Sequence, residues 1–375
     1  RGKYEQRASD LFGLYGSAPQ LERFDEMIEI DGSHGEGGGQ VLRSSLALSL
    51  ITGTPVRIVN IRARRSKSGL MAQHLKAVEA AVAVGKARVE GAQLGSLWLV
   101  FEPRRIQSGE FFLEIGTAGS TSLVLQTVLL PLGFAGSGSS IIVSGGTHTP
   151  WSPCFHYLDL QWLRCMQKIG FDIQLKLERA GFYPEGGGRV HAKVRTAARL
   201  SPLLLTERGA LLRILGISSV SNLDIGVAER QKKQALYRLR NQNWNVEIEV
   251  VRLSSWFKGT MLLLIAEFEN SQCCYYSLGA RGKTAELVAD ETVDQLEEFL
   301  ARDGAIDQYL ADQLILPLAV VSGVSELRTS RVTQHLLTNA EIVRMFLPVR
   351  IEVAGELGQT GLIRIERTVS SQVSP

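Results

Sequence analysis

Apolar positions along the chain alternate between two periods. Leu75, Val78, Ala81 and Val82 lie one or two helical turns apart on one face, as do Leu158, Trp162, Cys165 and Met166. Between such stretches stand short β-branched runs bounded by Gly and Ser, of which Ile141-Ile142-Val143 is typical. The first spacing predicts amphipathic helices and the second predicts buried strands. Read in order, they predict a strand over 27–31, a helix over 40–51, a strand over 56–61, a helix over 71–84 and strands over 87–90 and 97–102. The order then recurs. A strand opens at Glu110, and a helix over 122–132, a strand over 140–144, a helix over 155–169 and paired strands closing near Val194 follow. A third, less regular copy starts near Cys274, with helices over 284–301, 309–321 and 339–346 and two final strands. Self-similarity of this kind predicts an α/β (α+β) fold, in which three repeated β-α-β-α-β-β modules pack together with helices over one face of each sheet.

Residues 196–272 break the repeat and read as a smaller inserted α/β domain, with strands over 211–218, 246–253 and 260–267 and a helix over 227–241. The three-repeat domain is therefore expected over 27–195 and 273–367. Residues 1–26 are polar and without clear period, and are read as a natural extension or a non-native remnant; 368–375 form a tail. The inserted helix carries Arg230, Lys232, Lys233, Arg238 and Arg240, which form either a solvated face or a secondary contact for RNA.

Composition narrows the class. In 375 residues, 45% hydrophobic and 21% charged, there is enough apolar material for a large core, which excludes disordered and fibrous chains. A net charge of +3 excludes a histone-like polycation and permits a local anion site. The four cysteines show no CxxC or zinc spacing, and adjacent Cys273 and Cys274 fall in an apolar run; they fit a reduced, cytosolic protein without structural metal. No run of about 18 apolar residues offers a membrane span. Placement in the cytoplasm is expected, or in the nucleus of a eukaryote.

Glycine is the compositional outlier, at 37 residues, and its placement points to chemistry. Gly32-Ser-His-Gly-Glu-Gly-Gly-Gly-Gln40 joins a strand to a helix, where backbone N–H groups can approach an anion at the helix N-terminus. The run is neither a Walker A motif nor a dinucleotide fingerprint, since it lacks Gly-Lys-Ser/Thr and the GxGxxG spacing. Glu36 in its middle suits a metal ion shared with phosphates. Arg62-Ala-Arg-Arg65-Ser-Lys67 follows a strand and would clamp phosphate if its cations point one way. Arg43 lies one turn into the preceding helix, and Gln73-His74 opens the following one. His335 precedes the last predicted helix; an isolated histidine is most often structural, and His34 and His191 also sit near glycine-rich turns.

Taken together these segments carry a resemblance. Asp31-Gly-Ser-His-Gly-Glu-Gly-Gly-Gly-Gln-Val-Leu-Arg43 closely resembles the opening motif of the RNA 3′-terminal phosphate cyclases. The match continues in Ile61-Arg-Ala-Arg-Arg-Ser-Lys-Ser-Gly69, Gln73-His74-Leu75, Gly116-Thr-Ala-Gly-Ser120, Gly181-Phe-Tyr-Pro-Glu-Gly-Gly-Gly188, Tyr309-Leu-Ala-Asp-Gln-Leu314 and His335-Leu-Leu-Thr-Asn339. It spans about Met27 to Glu366 and diverges most in the inserted domain.

The resemblance implies an enzyme that uses ATP and a divalent metal, Mg or Mn, to convert an RNA 3′-terminal phosphate to a 2′,3′-cyclic phosphate. His335 matches the family nucleophile, which takes AMP from ATP and passes it to the RNA end. Arg43, Arg62, Arg65, Gln73 and His74 would line the phosphate and RNA-end site, with Glu36 as a metal ligand. Tyr309 would stack on adenine, with Asp312, Gln313 and Pro153 in the nucleotide pocket. After Gly145-Gly-Thr147 the chain departs from the family, which commonly has paired prolines and then an acidic residue; here Cys154 and His156 stand in the run Pro150-Trp-Ser-Pro-Cys-Phe-His156-Tyr157. Two rivals remain: a cyclase-like protein acting in ribosomal RNA processing without catalysis, against which His335 argues, and enolpyruvyl transferases, which share only the repeated module.

Overall fold

The computed structural model describes residues 27–240 and 244–368, so the expected 1–26 extension and nearly all of the tail lie outside it. The first module runs β1 (Ile28–Asp31), α1 (Gly39–Thr52), β2 (Val56–Val59), α2 (Ala72–Gly85), β3 (Arg88–Glu90) and β4 (Leu99–Glu102). Its strands lie in the order β1-β2-β4-β3, with β1 and β2 parallel and the other pairs antiparallel. The second module repeats this plan with β5 (Glu110–Glu114), α3 (Thr121–Leu132), β6 (Ser139–Gly145), α4, β7 (Ile173–Arg179) and β8 (Gly188–Val194). Helix α4 is three contiguous helical segments, Phe155–Tyr157, a π-helical Leu158–Trp162 and Leu163–Ile169. In both modules the parallel strands sit across a helix, as a β-α-β crossover requires.

The third module departs from the sequence expectation. Its first strand is β9, only Leu204–Leu205, which pairs in parallel with the later β14. The chain then leaves for β10 (Leu211–Ser221), α5 (Gly226–Leu239), β11 (Val246–Arg252), β12 (Gly259–Phe268), β13 (Gln272–Leu278) and α6 (Ala285–Leu300). It returns for α7 (Gln308–Ala319), β14 (Gly323–Thr329), α8 (Gln334–Phe346), β15 (Arg350–Ala354) and β16 (Gly361–Arg367). The strand near Cys274 and the helix over 284–301, expected to open the third repeat, thus belong to the small sheet: β13 pairs along its length with β12, and α6 packs on both and on α5. The reason is local. A two-residue strand leaves no periodic trace, whereas the apolar β13 reads as a buried strand without revealing its sheet. With β9 in place, all three modules share one β-α-β-α-β-β order.

The helices meet at the centre. α1 packs against α2, α3 and α8, and α7 packs against α8. α1 is therefore buried nearly all round, from Val41 through Thr52, except at Arg43. Two of its hydroxyls are satisfied within the helix, as Ser45 Oγ donates to Val41 O at 2.7 Å and Thr52 Oγ1 to Leu48 O at 2.9 Å, and Ser49 Oγ donates to Thr54 O just beyond it at 2.5 Å. One apolar core runs through all three modules, and a second lies within the small sheet. The four cysteines are buried and unpaired, as their apolar setting predicts. Among the described residues, no helix is long and apolar enough to cross a membrane.

The basic helix of the small sheet is α5, and much of its charge is spent inside the protein. Arg230 pairs with Glu286, and Arg238 with Asp290, Asp294 and Glu297 of α6. Arg240 stacks on Tyr237 at 3.7 Å. The structure thus favours a face turned to α6 over a contact for RNA.

Candidate active site

The glycine-rich loop between β1 and α1 is pinned at its start. Gly32 N–H donates to Val59 O at 2.7 Å, and the Asp31 carboxylate accepts from Ser33 N at 2.9 Å and Asn60 Nδ2 at 3.3 Å. Hydrogen bonds from Ser33 hold the Asp31 carboxyl below its ordinary range. Gly35 and Gly37 have φ of 58° and 57°, a left-handed region that favours glycine. Gly38 precedes α1 without any side-chain cap, so the helix begins with open N–H groups. A Cβ on Gly39 would lie 2.6 Å from His74 Nε2 and 2.7 Å from Arg43 Nη1, and one on Gly38 would lie 3.3 Å from Arg65 Nη2. Three polar side chains from three elements thus converge over the N-terminus of α1, in space that only glycine leaves open.

Their charge states differ. Burial lowers the Arg43 guanidinium to about 10, with Asp312 opposing; its Nη2 donates to Gln40 Oε1 at 2.9 Å. Burial, reinforced by Arg43 and Arg62, drives His74 down to about 3. Its Nδ1 accepts from Met71 N–H at 3.1 Å, which leaves a neutral imidazole with Nε2 carrying the proton and aimed at Gly39. The cations of 62–67 do not all point one way. Arg62 is half-buried, has φ of 55° and donates from Nη1 to Gly69 O at 3.3 Å. Arg65 reaches Glu36 Oε2 at 3.4 Å, whereas Arg64 lies near Asp31 and Lys67 is exposed. Gln73 meets the second module, since a Cβ on Gly119 would lie 3.1 Å from its own Cβ.

His335 joins this group from the third module. Its helix begins earlier than the sequence suggests: Thr333 Oγ1 caps α8 by accepting from Leu336 N at 3.1 Å, which puts His335 in the first turn. His335 Nε2 stands 2.8 Å from Glu36 Oε2, so Glu36 bridges His335 and Arg65. Burial lowers the imidazole from its ordinary value, Glu36 pulls the other way, and Arg43 and Arg65 add to the lowering. Asn339 on the same helix ties the modules together: its Oδ1 accepts from Ser44 Oγ at 2.5 Å and its Nδ2 donates to Asp312 O at 2.8 Å.

The residues expected around adenine sit on and beside α7. Tyr309 is half-exposed and packs edge-on against Tyr275, ring centroids 6.3 Å apart. Gln313 donates to Tyr309 O at 2.8 Å and accepts from Gln126 of α3 at 2.5 Å. Asp312 faces Arg43 and Glu36 electrostatically, and burial pushes its carboxyl up to about 8 with Asp307 adding to the rise. Pro153 lies in a turn clamped by Tyr276, whose hydroxyl donates to Ser152 O at 2.5 Å and accepts from Cys154 N at 3.1 Å. Adjacent residues of β13 therefore brace both Tyr309 and Pro153.

The departing run after Thr147 is a packing device. Thr147 Oγ1 bonds His148 Nδ1 at 2.7 Å, His148 Nε2 bonds His156 Nδ1 at 2.9 Å, and His148 stacks on Phe182 with centroids 4.7 Å apart. Burial holds both histidines neutral, His156 down to about 4.

Asp307 escaped the sequence reading. Fully buried, it accepts from Tyr157 Oη and Gln161 Nε2, each at 2.8 Å, and from the N–H groups of Tyr309 at 3.1 Å and Leu310 at 2.9 Å. The available signal was an N-cap residue immediately ahead of a periodic helix. Among the described residues, no three His, Cys, Asp or Glu side chains cluster to hold a metal ion, so Glu36 offers a single carboxylate. Such a site suits an ion that shares the phosphates of a bound nucleotide, which is how a hard divalent cation is commonly held.

A neutral imidazole, a carboxylate and converging cations above an open helix N-terminus can bind a phosphate and attack it. Proteins of similar sequence carry one description. The family model described as RNA 3′-terminal phosphate cyclase matches residues 34–353. An RNA 3′-terminal phosphate cyclase of Ralstonia nicotianae is 45% identical over 331 residues, covering 88% of this chain and 94% of that protein. That of Thermococcus gammatolerans is 43% identical over 343 residues, covering 91% and 98%. That of Nostoc punctiforme is 40% identical over 334 residues, covering 87% and 96%. The solved structure of the enolpyruvyl transferase NikO from Streptomyces tendae covers 91% of this chain and 48% of its own, at 13% identity and a TM-score of 0.38, too loose a likeness to bear on function.

Proposed function

The chain belongs to the RNA 3′-terminal phosphate cyclase family, and on that premise we propose that it converts an RNA 3′-terminal phosphate to a 2′,3′-cyclic phosphodiester at the expense of ATP. The observation that carries the reading is His335 in the first turn of α8, 2.8 Å from Glu36 of the glycine-rich loop and beside the cations gathered over Gly39.

The reaction has three displacements at phosphorus. An imidazole nitrogen of His335 attacks the α-phosphate of ATP, the bond to the β-phosphate oxygen breaks, and pyrophosphate leaves. An oxygen of the RNA 3′-phosphate then attacks the histidine-bound AMP, breaking the N–P bond and giving RNA-(3′)pp(5′)A. The vicinal 2′-hydroxyl attacks the RNA phosphorus, loses its proton and expels AMP as the ring closes. A neutral imidazole is a competent nucleophile, and its phosphoramidate is labile enough to pass AMP on.

Burial and the neighbouring arginines keep His335 neutral near pH 7. Arg43, Arg62 and Arg65 place positive charge where negative charge spreads over the phosphate oxygens, the largest electrostatic contribution such a site can make. His74 adds a neutral donor at Nε2 that does not compete for protons. Tyr309 offers its half-exposed ring to adenine, and Gln313, Asp312 and Pro153 border the same pocket. Glu36 would hold Mg or Mn together with the ATP phosphates, and the bound ion would supply further charge neutralisation at phosphorus.

Incubation with α-labelled ATP and metal tests the reading. The protein should become labelled through an acid-labile bond, and His335→Ala should abolish the label. Equal labelling of parent and His335→Ala would remove His335 as nucleophile.

A further inference from the structure

We propose that an exposed aromatic turn of the small sheet, Trp256-Phe257, together with Arg179 and Tyr183 of the second module, stacks and guides the RNA strand leading to the 3′-phosphate. The proposal rests on the cyclase reading and extends it to the part of the substrate that the phosphate site does not touch.

Trp256 and Phe257 stand in the link between β11 and β12, with Trp256 64% exposed and Phe257 39% exposed. Exposed apolar rings gathered in one patch, unlike rings scattered singly, mark a contact site. The turn is rigidly built. Asn222 Nδ2 donates to Ser255 O at 2.9 Å and Ser221 Oγ to Phe257 O at 3.0 Å. Ala180 N donates to Ser254 O at 2.8 Å, which fastens the turn to the second module. Arg179 stacks its guanidinium 3.3 Å from the centre of the Trp256 ring and donates from Nε to Gly187 O at 2.7 Å. Among the described residues, no carboxylate pairs with Arg179 or with the exposed Lys258 that follows Phe257. A cation laid on an aromatic ring, its charge unpaired, is suited to a base and its phosphate together. Tyr183, 63% exposed, rises from the loop that ends at Gly187, and Trp151, wholly exposed, follows in the turn after His148, whose carbonyl accepts from Tyr183 N at 3.2 Å. Glu185 is the carboxylate of the 181–187 loop, set against Arg179 on the Trp256 ring and Lys258 next to Phe257.

Continuity with the phosphate site decides the occupant. A Cβ on Gly187 would lie 3.1 Å from Phe257 and 3.2 Å from Trp256, and one on Gly186 would lie 2.8 Å from Ala118 Cα. Gly119, next in the chain, is the residue whose Cβ would press on Gln73. A rim built on these contacts therefore runs from Gln73 through the 116–119 and 186–187 loops, with Gly116 and Thr117 exposed and Gly186 buried, to the Trp256 ring. A polyanion with unstacked bases, tethered by its end at Gln73 and His74, fits that rim. A single-stranded RNA has this chemistry and needs no particular sequence to use it.

The test is equilibrium binding, read by fluorescence anisotropy without ATP, of a 5′-fluorescein oligouridylate 12-mer and a dinucleotide, both ending in a 3′-phosphate. The parent should bind the 12-mer at least about tenfold more tightly than the dinucleotide, since a stacked base is worth on the order of 1–3 kcal/mol. Trp256→Ala should lose most of that gain while holding the dinucleotide as the parent does, and Trp256→Phe, which keeps a stacking face, should recover much of it. A parent that binds both probes alike, or a Trp256→Ala variant that keeps the full gain, overturns the proposal and leaves the patch to a protein partner. Labelling by α-labelled ATP is scored separately. A parent that labels but ignores RNA length refutes this inference alone, and a parent that never labels refutes the cyclase reading.

Discussion

Gly39 sits where His74 Nε2 and Arg43 Nη1 both come within 2.7 Å of the place a methyl would occupy. Gly39→Ala must therefore displace two groups that, in the proposed function, face the reacting phosphate. Misplacement of about 1 Å can cost on the order of a hundredfold in rate, whereas alanine in a helix is worth up to about 1 kcal/mol in its favour over glycine. We expect the rate of self-adenylylation to collapse with little change in thermal midpoint; labelling within twofold of the parent would show that the convergence does not serve the chemistry. His335 gives a second expectation at this scale. Its protonated form cannot attack, and burial sets its titration below the ordinary 6.5. The acid limb of a labelling-rate profile should thus fall below pH 6.5. Glu36 is the neighbour that raises this imidazole, so Glu36→Gln should move the limb further toward acid as well as weaken metal-dependent turnover. A limb that moves upward would contradict the assigned geometry. The sequence exposed these residue types because glycines, arginines and a histidine in this order have few uses. It could not show that Glu36 faces His335, which depends on how the first and third modules dock.

One side chain both caps helix α7 and ties it to the second module. Asp307 accepts from Tyr157 and Gln161 of α4 while capping α7 through Tyr309 and Leu310 N–H. Asp307→Ala would strand these donors in a buried place at a cost of about 3 kcal/mol or more. Because Tyr309 and Gln313 ride on α7, the KM for ATP should rise alongside a lower urea midpoint. Asp307→Asn keeps the shape and one accepting oxygen, so it should lose less on both counts; an Asp307→Ala variant with parental KM would separate the cap from the nucleotide pocket. At this scale the pattern was legible where elements are long and periodic, as in α2 and α4. It failed at β9, whose two residues carry no period, and at β13, whose apolar run names a buried strand and leaves its partner open. The start of α8 is hidden for a related reason: its first turn holds polar Gln334 and His335, which carry no apolar period.

The small sheet interrupts the third module and is bonded into the whole. Arg328 of β14 donates from Nε to Thr206 O at 3.0 Å as the chain departs, and its carbonyl accepts from Ala305 N at 2.8 Å as the chain returns. Between those points Met261, Leu263 and Cys274 share an apolar cluster with Tyr157, Ala180 and Phe182 of the second module. Gln272 Nε2 also donates to Gln161 Oε1 at 2.6 Å, next to the Asp307 network. A seam so built should transmit unfolding, so near-UV and far-UV circular dichroism should report one coincident transition rather than two. The same seam sets the response to acid. His148 lies within it and His74 in the candidate active site, both buried and both held well below 6.5 in the fold. As pH falls below 6.5 the unfolded chain takes up protons that the native state refuses, and each such histidine removes about 1.4 kcal/mol of stability per pH unit. Asp312 acts with the opposite sign: it keeps its proton up to about 8, so its contribution is present at low pH and fades as pH rises toward that value. Asp307 and Asp159, raised by burial, act with Asp312, while His156 and His335, also lowered by burial, act with His148 and His74; the four histidines outweigh the carboxyls between pH 6.5 and 5, and urea midpoints should drop across that interval. His148→Gln, which can still bond Thr147 and His156 but cannot titrate, should flatten the drop; an unchanged slope would place the acid sensitivity elsewhere.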